Sequence, residues 1–237
     1  MTSSSRADWL IPVSLLLLSA VPAIAGTVRL GEIAGGAAVT PENTRFLTDP
    51  VPLVLHIVSA TVFCVLGAFQ FAPGLRRRHL GWHRASGRIV LPTGIVAALT
   101  GVWMTFAYDI PAPDGVAVHL LRILFGTAMA VALVLAYVRV RRGDVARHRA
   151  WMIRGYAIGQ AAGTQVFTHL PWMVLAGGEL TETSRAVAMG AGWVVNVAVA
   201  EWIIRRRPRR RSARTASAAV STAASTAPEP GATPPTR

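Results

Sequence analysis

Long apolar stretches separated by short charged segments dominate the sequence. A helix of about 20 mostly apolar residues crosses a hydrocarbon layer of ~30 Å. Six stretches reach about this length, at residues 9–28, 51–73, 89–108, 116–138, 151–177 and 186–204. The pattern predicts an all-α, polytopic membrane bundle of about six transmembrane helices over residues 1–204, with its core at 51–177.

The charged residues between these stretches are sorted by sign. Arginines crowd residues 76–88 and 139–154 and the run that begins at Arg205, whereas the other connections carry most of the acidic residues. Arginine-rich short loops stay in the cytoplasm, so both termini are predicted to be cytoplasmic. The expected partners are the lipid bilayer and, at the cytoplasmic face, its anionic lipids.

Composition agrees with a membrane location. Hydrophobic residues make up 52% of the chain and charged residues only 15%, which is little charge for a soluble domain. All 24 basic residues are arginine, a bias typical of GC-rich bacterial genomes, so the expected location is a bacterial plasma membrane. The net charge of +13 is spread between apolar runs, which argues against nucleic-acid binding. Cys64 is the only cysteine, so disulfides and thiolate clusters are excluded.

The two ends of the chain have patterns of their own. Arg6, a leucine-rich run and the small residues at 23–25 also suit a cleavable signal peptide. An uncleaved helix is the preferred interpretation, and cleavage would leave five helices in the same orientations. Residues 205–237 become rich in Ala, Ser, Thr and Pro, which predicts a basic, disordered cytoplasmic tail. Glu201 lies four residues before Arg205, and the two are expected to pair.

A weak internal repeat relates helices two and three to helices four and five. An arginine pair followed by His-Arg-Ala occurs at 76–85 and again at 141–150, an offset of 65 residues. A true duplication predicts a hairpin repeat about an axis along the membrane normal. Chance is the alternative, because arginine is expected at cytoplasmic helix ends in any case.

The histidines follow the repeat. It sets His56 opposite His119 in the outer leaflet, and His83 opposite His148 at the inner surface. Neutral imidazole binds haem iron, zinc or copper, and an unpaired polar ring is costly in lipid. Two histidines at one level predict a haem clamp, and His169 at a similar depth would complete a metal site. A hydrogen bond to a carbonyl or headgroup is the alternative for each.

Arginines lie near both histidine levels. Arg122 falls three residues after His119, and its charge needs compensation by a haem propionate, an anionic substrate or outer headgroups. At the inner level, Arg84, Arg149 and Arg154 suit the phosphate or carboxylate groups of lipids, propionates or a small anionic reductant.

Several short motifs resemble one protein family. They are LGAFQF at 66–71, the arginines at 76–78, HR at 83–84, GR at 87–88 and HRAWMIR at 148–154. In these motifs the chain resembles the bacterial multi-pass membrane proteins catalogued as domain of unknown function 2306, over roughly residues 50–205. The resemblance implies a membrane location and no established activity.

The placement of the histidines also resembles that of the two-haem, six-helix cytochromes b that ascorbate reduces. In that family, histidines pair between helices two and four and between helices three and five. The resemblance implies haem ligation by His56 with His119 and by His83 with His148. The departure is that His83 and His148 lie at or beyond the inner boundary, whereas both pairs lie within the helices of that family.

Taken together, these patterns predict a transmembrane electron carrier that binds haem b and meets a small redox partner. Two alternatives stay open. A transporter or metal-handling protein would bind a transition metal at His56, His119 and His169. A membrane scaffold would carry out no chemistry and would recruit lipid or protein to its basic face. The chain has no phosphate loop, nucleophile elbow or metalloprotease motif that would point to a soluble type of enzyme.

Overall fold

The structure, a computed structural model, describes residues 3–41, 43–175, 177 and 180–206, and the predicted tail from residue 207 onward lies outside this part. The described chain is all-α. Its helices are α1 (Ser3–Ala34), α2 (Thr44–Thr48), α3 (Val51–Gln70), α4 (Pro73–Arg78), α5 (Leu80–Ala107), α6 (Val116–Arg141), α7 (Val145–Gly159), α8 (Ala161–Leu175) and α9 (Glu182–Arg206).

Five helices within the described residues are long and apolar enough to cross a membrane, judged by length and composition. They are α3, α5, α6, α9 and the part of α1 from Trp9 onward. The prediction of an all-α polytopic membrane protein is therefore confirmed. The bounds differ most for α5, which begins at Leu80 rather than at residue 89. As a result, His83 lies inside a helix instead of before it.

The prediction of one continuous helix over residues 151–177 is wrong. The chain breaks at Gln160, and neither α7 nor α8 is long enough to cross a membrane alone. Just before the break, the Ala157 carbonyl accepts a hydrogen bond from Asn196 Nδ2 at 3.0 Å. Just after it, the Gly163 amide donates to the Gln160 carbonyl at 3.1 Å, in a tighter turn. A side chain from α9 thus supplies a partner for a backbone group at the break, as a membrane requires.

Glycines at the helix crossings let large side chains fill the core. Phe63 and Leu133 are almost fully buried, and both pack where Gly94 has no side chain. Tyr156 lies against Gly67 in the same way. Small residues allow close helix approach in a membrane, where the hydrophobic effect does not drive helices together.

Side-chain hydrogen bonds and one close approach hold residues 182–200 of α9 in place. A Cβ on Gly192 would lie 2.5 Å from Gln165 Cγ and 3.3 Å from its backbone nitrogen. Among the described helices, α3 packs along α5, α6 along α7, and α5 along α6, whereas α9 makes no comparably extended contact. The bonds to α9 run from Thr164 to Asn196 (2.8 Å), from Gln165 to the Met189 carbonyl (3.1 Å) and from Thr168 to the Ala188 carbonyl (2.7 Å).

Residues 201–206, with which α9 ends, belong to a second unit that begins at Glu201. Glu201 pairs with Arg205 at 3.6 Å, which confirms the predicted ion pair. The Arg206 guanidinium lies 3.9 Å from the centre of the Trp202 ring.

Gly94 offers a direct test of the core. A Cβ there would lie 2.5 Å from the Phe63 ring and 2.8 Å from Leu133. Because both side chains are tightly enclosed, Gly94→Ala is expected to lower the free energy of unfolding by about 1–3 kcal/mol. Gly87 is in the same helix with open space around it, so Gly87→Ala is the matched control and should be neutral or stabilising. Thermal unfolding in detergent compares them, and equal midpoints would contradict this packing.

Candidate functional site

A cavity of about 390 Å³ is lined by residues of α2, α3, α5, α6, α9 and the α7–α8 break. It lies toward the acidic end of the bundle, where α3, α6 and α9 begin. His56 from α3 and His119 from α6 both line it. α3 and α6 are not among the described helix pairs that pack closely. Their side chains meet deeper in the bundle, where Phe63, Met129 and Leu133 share one buried cluster.

The His56 ring is fixed by the backbone of α5. Its Nδ1 lies 2.9 Å from the Ala97 carbonyl oxygen and 3.2 Å from the Thr100 hydroxyl. A carbonyl oxygen only accepts, so Nδ1 carries the proton and Nε2 keeps its lone pair. Gly101 lies beside the ring, and a Cβ there would be 3.4 Å from its Cε1. Among the described residues Nε2 has no hydrogen-bond partner, and it can accept a ligand.

His119 lines the same cavity, and its ring is held by fewer contacts than that of His56. Its ring meets Phe106 edge to face, with 5.8 Å between the ring centroids. No hydrogen bond joins His119 to another side chain or carbonyl in the described part of the chain. Both of its ring nitrogens are therefore available to a ligand.

His169 is placed elsewhere, although the sequence grouped it with these two. Its Nδ1 donates to the Gln165 carbonyl at 2.6 Å, and its Nε2 accepts from Arg185 Nη1 at 3.0 Å. Both ring nitrogens are thus already bonded, and His169 does not line the cavity. Within the described residues, no group of three or more His, Cys, Asp or Glu side chains is placed to hold a metal ion. The three-histidine metal site stays a prediction that these positions do not favour.

The partner of Arg122 is a buried carboxylate that the sequence analysis did not single out. The Asp114 side chain is 3% exposed; one oxygen lies 2.5 Å from Arg122 Nη2 and the other 2.7 Å from Arg185 Nε. Asp114 therefore compensates Arg122 from within the protein, where the sequence suggested a propionate, a substrate or a headgroup. Because Arg185 also bonds His169, the four side chains form one network at the acidic end.

A second cation at this cavity, Arg45, was missed by the sequence analysis. Burial and the nearby charge of Arg122 lower the pKa of Arg45, and its Nε is buried without a partner. Arg45 and Arg29 lie over the Phe46 ring, 4.5 and 4.9 Å from its centre. These residues belong to or surround α2, so a short cationic and aromatic cover lies over the acidic end of the cavity. A five-residue helix has no apolar periodicity by which to recognise it.

The other predicted histidine pair lies at the arginine-rich end, where α5 and α7 begin. His83 and His148 are each the fourth residue of their helix. His148 Nδ1 donates to the Ala136 carbonyl at 2.8 Å, whereas His83 Nδ1 is buried without a partner. His148 and Arg76 are among the ionisable groups near His83. The structure thus brings these two histidines into the same neighbourhood.

The predicted inner arginines have varied surroundings. Arg84 is another ionisable neighbour of His83, and the Arg154 guanidinium lies 4.6 Å from the centre of the Trp151 ring. Arg149 and Arg154 both make further interactions. None of the three lines the cavity at the acidic end.

A bonded polar cluster joins α1 and α3 to the break at Gln160. The Ser19 hydroxyl donates to Gln160 Oε1 at 2.9 Å, and Gln160 Nε2 donates to the Tyr156 hydroxyl at 2.7 Å. Tyr156 in turn donates to the Cys64 carbonyl at 2.7 Å. Gln160 is 3% exposed, and these bonds meet the cost of burying its amide.

The five candidate spans define a polytopic helical membrane protein. The family model described as Predicted membrane protein (DUF2306) matches residues 53–204. The chain therefore belongs to this family, and the resemblance seen in its motifs is confirmed. No curated protein and no solved structure matches the chain.

Removing the shared carboxylate should loosen the acidic end. Asp114→Asn leaves Arg122 and Arg185 without their carboxylate, and breaking a fully buried pair costs about 3–5 kcal/mol. Since these arginine side chains are 33% and 27% exposed, solvent screening reduces the expected loss to about 1–3 kcal/mol. The measurement is thermal unfolding followed by tryptophan fluorescence. Asp109 is exposed, so Asp109→Asn is the control, expected within about 0.5 kcal/mol; a similar value for Asp114→Asn would rule out a stabilising network.

Proposed function

We propose that the protein is a transmembrane electron carrier that binds haem b between α3 and α6. The observation that carries this proposal is the cavity that His56 and His119 share, between two helices that do not pack closely on each other. Its volume of about 390 Å³ is in the range of roughly 300–1,000 Å³ typical of ligand and cofactor sites. The likeness of the histidine placement to the two-haem cytochromes b supports the same pair.

The residues at the cavity fit an axial ligand pair. Ligating histidines commonly donate their other ring nitrogen to a carbonyl, which fixes the tautomer and the ring, and His56 does so with Ala97. His119 would supply the second ligand from the facing helix. Apolar side chains such as Met129 and Ile158 line much of the remaining wall and would keep water out. A bound haem b supplies one-electron chemistry at its iron.

Two arginines would hold the propionates. Arg45 and Arg122 both line the cavity, and arginine pairs well with carboxylates. Asp114 and Arg185 fix the position of Arg122, while Arg45 has an unused donor in its Nε. An anionic group at this point would also offset the burial of Arg45.

We assign His83 and His148 to a second, inner ligand pair. Their matching positions in α5 and α7 support this, as does the bond from His148 Nδ1 to a carbonyl, which resembles the anchoring of His56. Arg84, Arg149 and Arg154 lie at the same end and would neutralise the propionates. The matching positions also support a repeat of the α3–α5 hairpin in α6 and α7.

The proposed setting is a bacterial plasma membrane crossed six times. α7 and α8 together would make the crossing that neither makes alone, and the packing of α1 against α3 and α8 supports an uncleaved first helix. The arginine-rich end, with both termini, would face the cytoplasm and its anionic lipids. A small redox partner would meet either face.

Cysteine labelling tests this orientation. In a Cys64→Ala background, Asp109→Cys and Arg142→Cys place single thiols at exposed positions on opposite ends of the bundle. A membrane-impermeant maleimide added to intact cells is expected to label position 109 and not 142, because arginine-rich loops remain inside. Permeabilised cells should label both. Labelling of position 142 alone in intact cells would contradict this orientation and indicate the opposite one.

A transporter is the second candidate, because the broken helix lies beside the cavity. Irregular backbone at membrane depth is tolerated where it lines a cavity, and transporters build substrate sites from such breaks. Gly159 and Ala162, on either side of Gln160, both line the cavity. In this case His56 and His119 would bind a transition metal ion.

Optical spectra of purified protein decide between these functions. Protein expressed with ample haem is expected to show a Soret band and sharp reduced bands after dithionite. His56→Ala and His119→Ala should each lose at least half of the haem bound per protein, because an axial ligand is gone. His79 is exposed and outside the cavity, so His79→Ala is the control and should retain the haem. Bound zinc or copper without haem bands would support the transporter. Protein with neither haem nor metal would support the membrane scaffold.

A further inference from the structure

A second cavity, of about 170 Å³, adjoins the first at His56. Its walls come mainly from α1, α3 and the region of the α7–α8 break. Ser19 and Thr61 line it, and each lies ten residues beyond the start of its candidate span, or about 15 Å along the helix. The cavity is therefore near the middle of the bilayer, where its occupant arrives through lipid or through the first cavity.

The lining of this second cavity selects a neutral, mostly apolar molecule. No described arginine, aspartate or glutamate lines it, and a charge at this depth would be costly without one. Its hydrogen-bonding side chains stand on separate walls, with Thr61 on α3, and Ser19 and Gln160 on α1 and at the break.

Thr61 brings a hydroxyl to the wall of this cavity. The Thr100 hydroxyl in the neighbouring helix donates to its own helix at the Val96 carbonyl, 2.7 Å away. The Thr61 hydroxyl makes no hydrogen bond within the described residues. Thr61 is half-buried and lines the cavity. A hydroxyl without a partner at this depth in a membrane is costly, so the donor of Thr61 is free for a molecule in the cavity.

The volume of the second cavity limits the size of the molecule that it can bind. A cavity of about 150 Å³ in another protein holds benzene, so about 170 Å³ holds one six-membered ring with small substituents. A neutral, lipid-soluble ring with a hydrogen-bond acceptor at its edge matches the free Thr61 hydroxyl and the mostly apolar wall around it. A quinone headgroup has these properties.

We propose that the second cavity binds the headgroup of a lipid-soluble quinone. One carbonyl accepts a hydrogen bond from Thr61. The Ser19 and Gln160 donors are already bonded within the protein, so the other carbonyl makes no hydrogen bond to them. Because His56 lines both cavities, the quinone ring lies beside the first cavity. Binding stands on the geometry of this cavity, whereas any exchange of electrons with a haem rests on the proposed function.

Thermal unfolding of the purified full chain with tetramethyl-1,4-benzoquinone tests the site. Its fully substituted ring does not add to the Cys64 thiol. 1,2,4,5-Tetramethylbenzene has the same ring and methyl groups without carbonyls, and it is the ligand control. The quinone is expected to raise the unfolding midpoint far more than the hydrocarbon does, in proportion to occupancy.

Substitution of Thr61 tests the contact itself. Thr61→Val removes the hydroxyl at nearly constant volume and should raise the Kd of the quinone about fivefold. Thr127 is exposed on α6 and lines neither cavity, so Thr127→Val should keep the Kd of the unsubstituted protein.

Three outcomes would overturn the assignment: equal stabilisation by both compounds, stabilisation by neither, and an unchanged Kd in Thr61→Val. None of them depends on haem. Protein without haem bands that binds the quinone through Thr61 would refute the electron carrier and keep this site. Haem-containing protein that does not bind the quinone would refute the quinone site and keep the electron carrier.

Discussion

The side-chain amide of Gln160 is bonded on both of its polar atoms, to Ser19 of α1 and to Tyr156, which reaches the Cys64 carbonyl of α3. Lipid offers no hydrogen bonds, so a polar group at this depth must find its partners inside the protein. These bonds let the chain break between α7 and α8 while α1 and α3 stay attached to it. Gly159, next to the break, lines both cavities, so the residues that Gln160 holds in place are next to the open space in the bundle.

At the acidic end, charged side chains also find their partners inside the protein. One buried carboxylate, Asp114, serves both Arg122 and Arg185, and Arg185 occupies the remaining nitrogen of His169. This network turns His169 into a structural residue. It leaves Arg45, with its unpartnered Nε, as the cation at the cavity with most to gain from an anionic group. The position of Asp114 thus decides which of these side chains are structural and which are available.

Most of the spans could be predicted from the sequence, because hydrophobic length and the sign of loop charges are local properties. The break at Gln160 could not, because it depends on Asn196 of another helix and falls within an apolar run. His56, His119 and His169 look alike as isolated rings in apolar segments, and only the fold shows that Arg185 meets one of them. The sequence does not show that the Thr61 hydroxyl is free, since threonine in a membrane helix usually bonds its own backbone.

The two histidine-bearing hairpins are alike in position and unlike in connection. α3 and α5 are joined through α4. α6 and α7 are joined by a short turn at Gly143, whose φ of 75° suits glycine. α5 packs extensively on α6, but the corresponding contact of α3 with α7 is slight. His56 of α3 lines both of the cavities described above, whereas His119 of α6 lines the first of them. The two rings also have unequal support, one tied to a carbonyl and the other set against Phe106. Because the hydrogen bonding of its ligands tunes a bound metal, a cofactor held by this pair would have two inequivalent ligands despite the similarity of the hairpins that supply them.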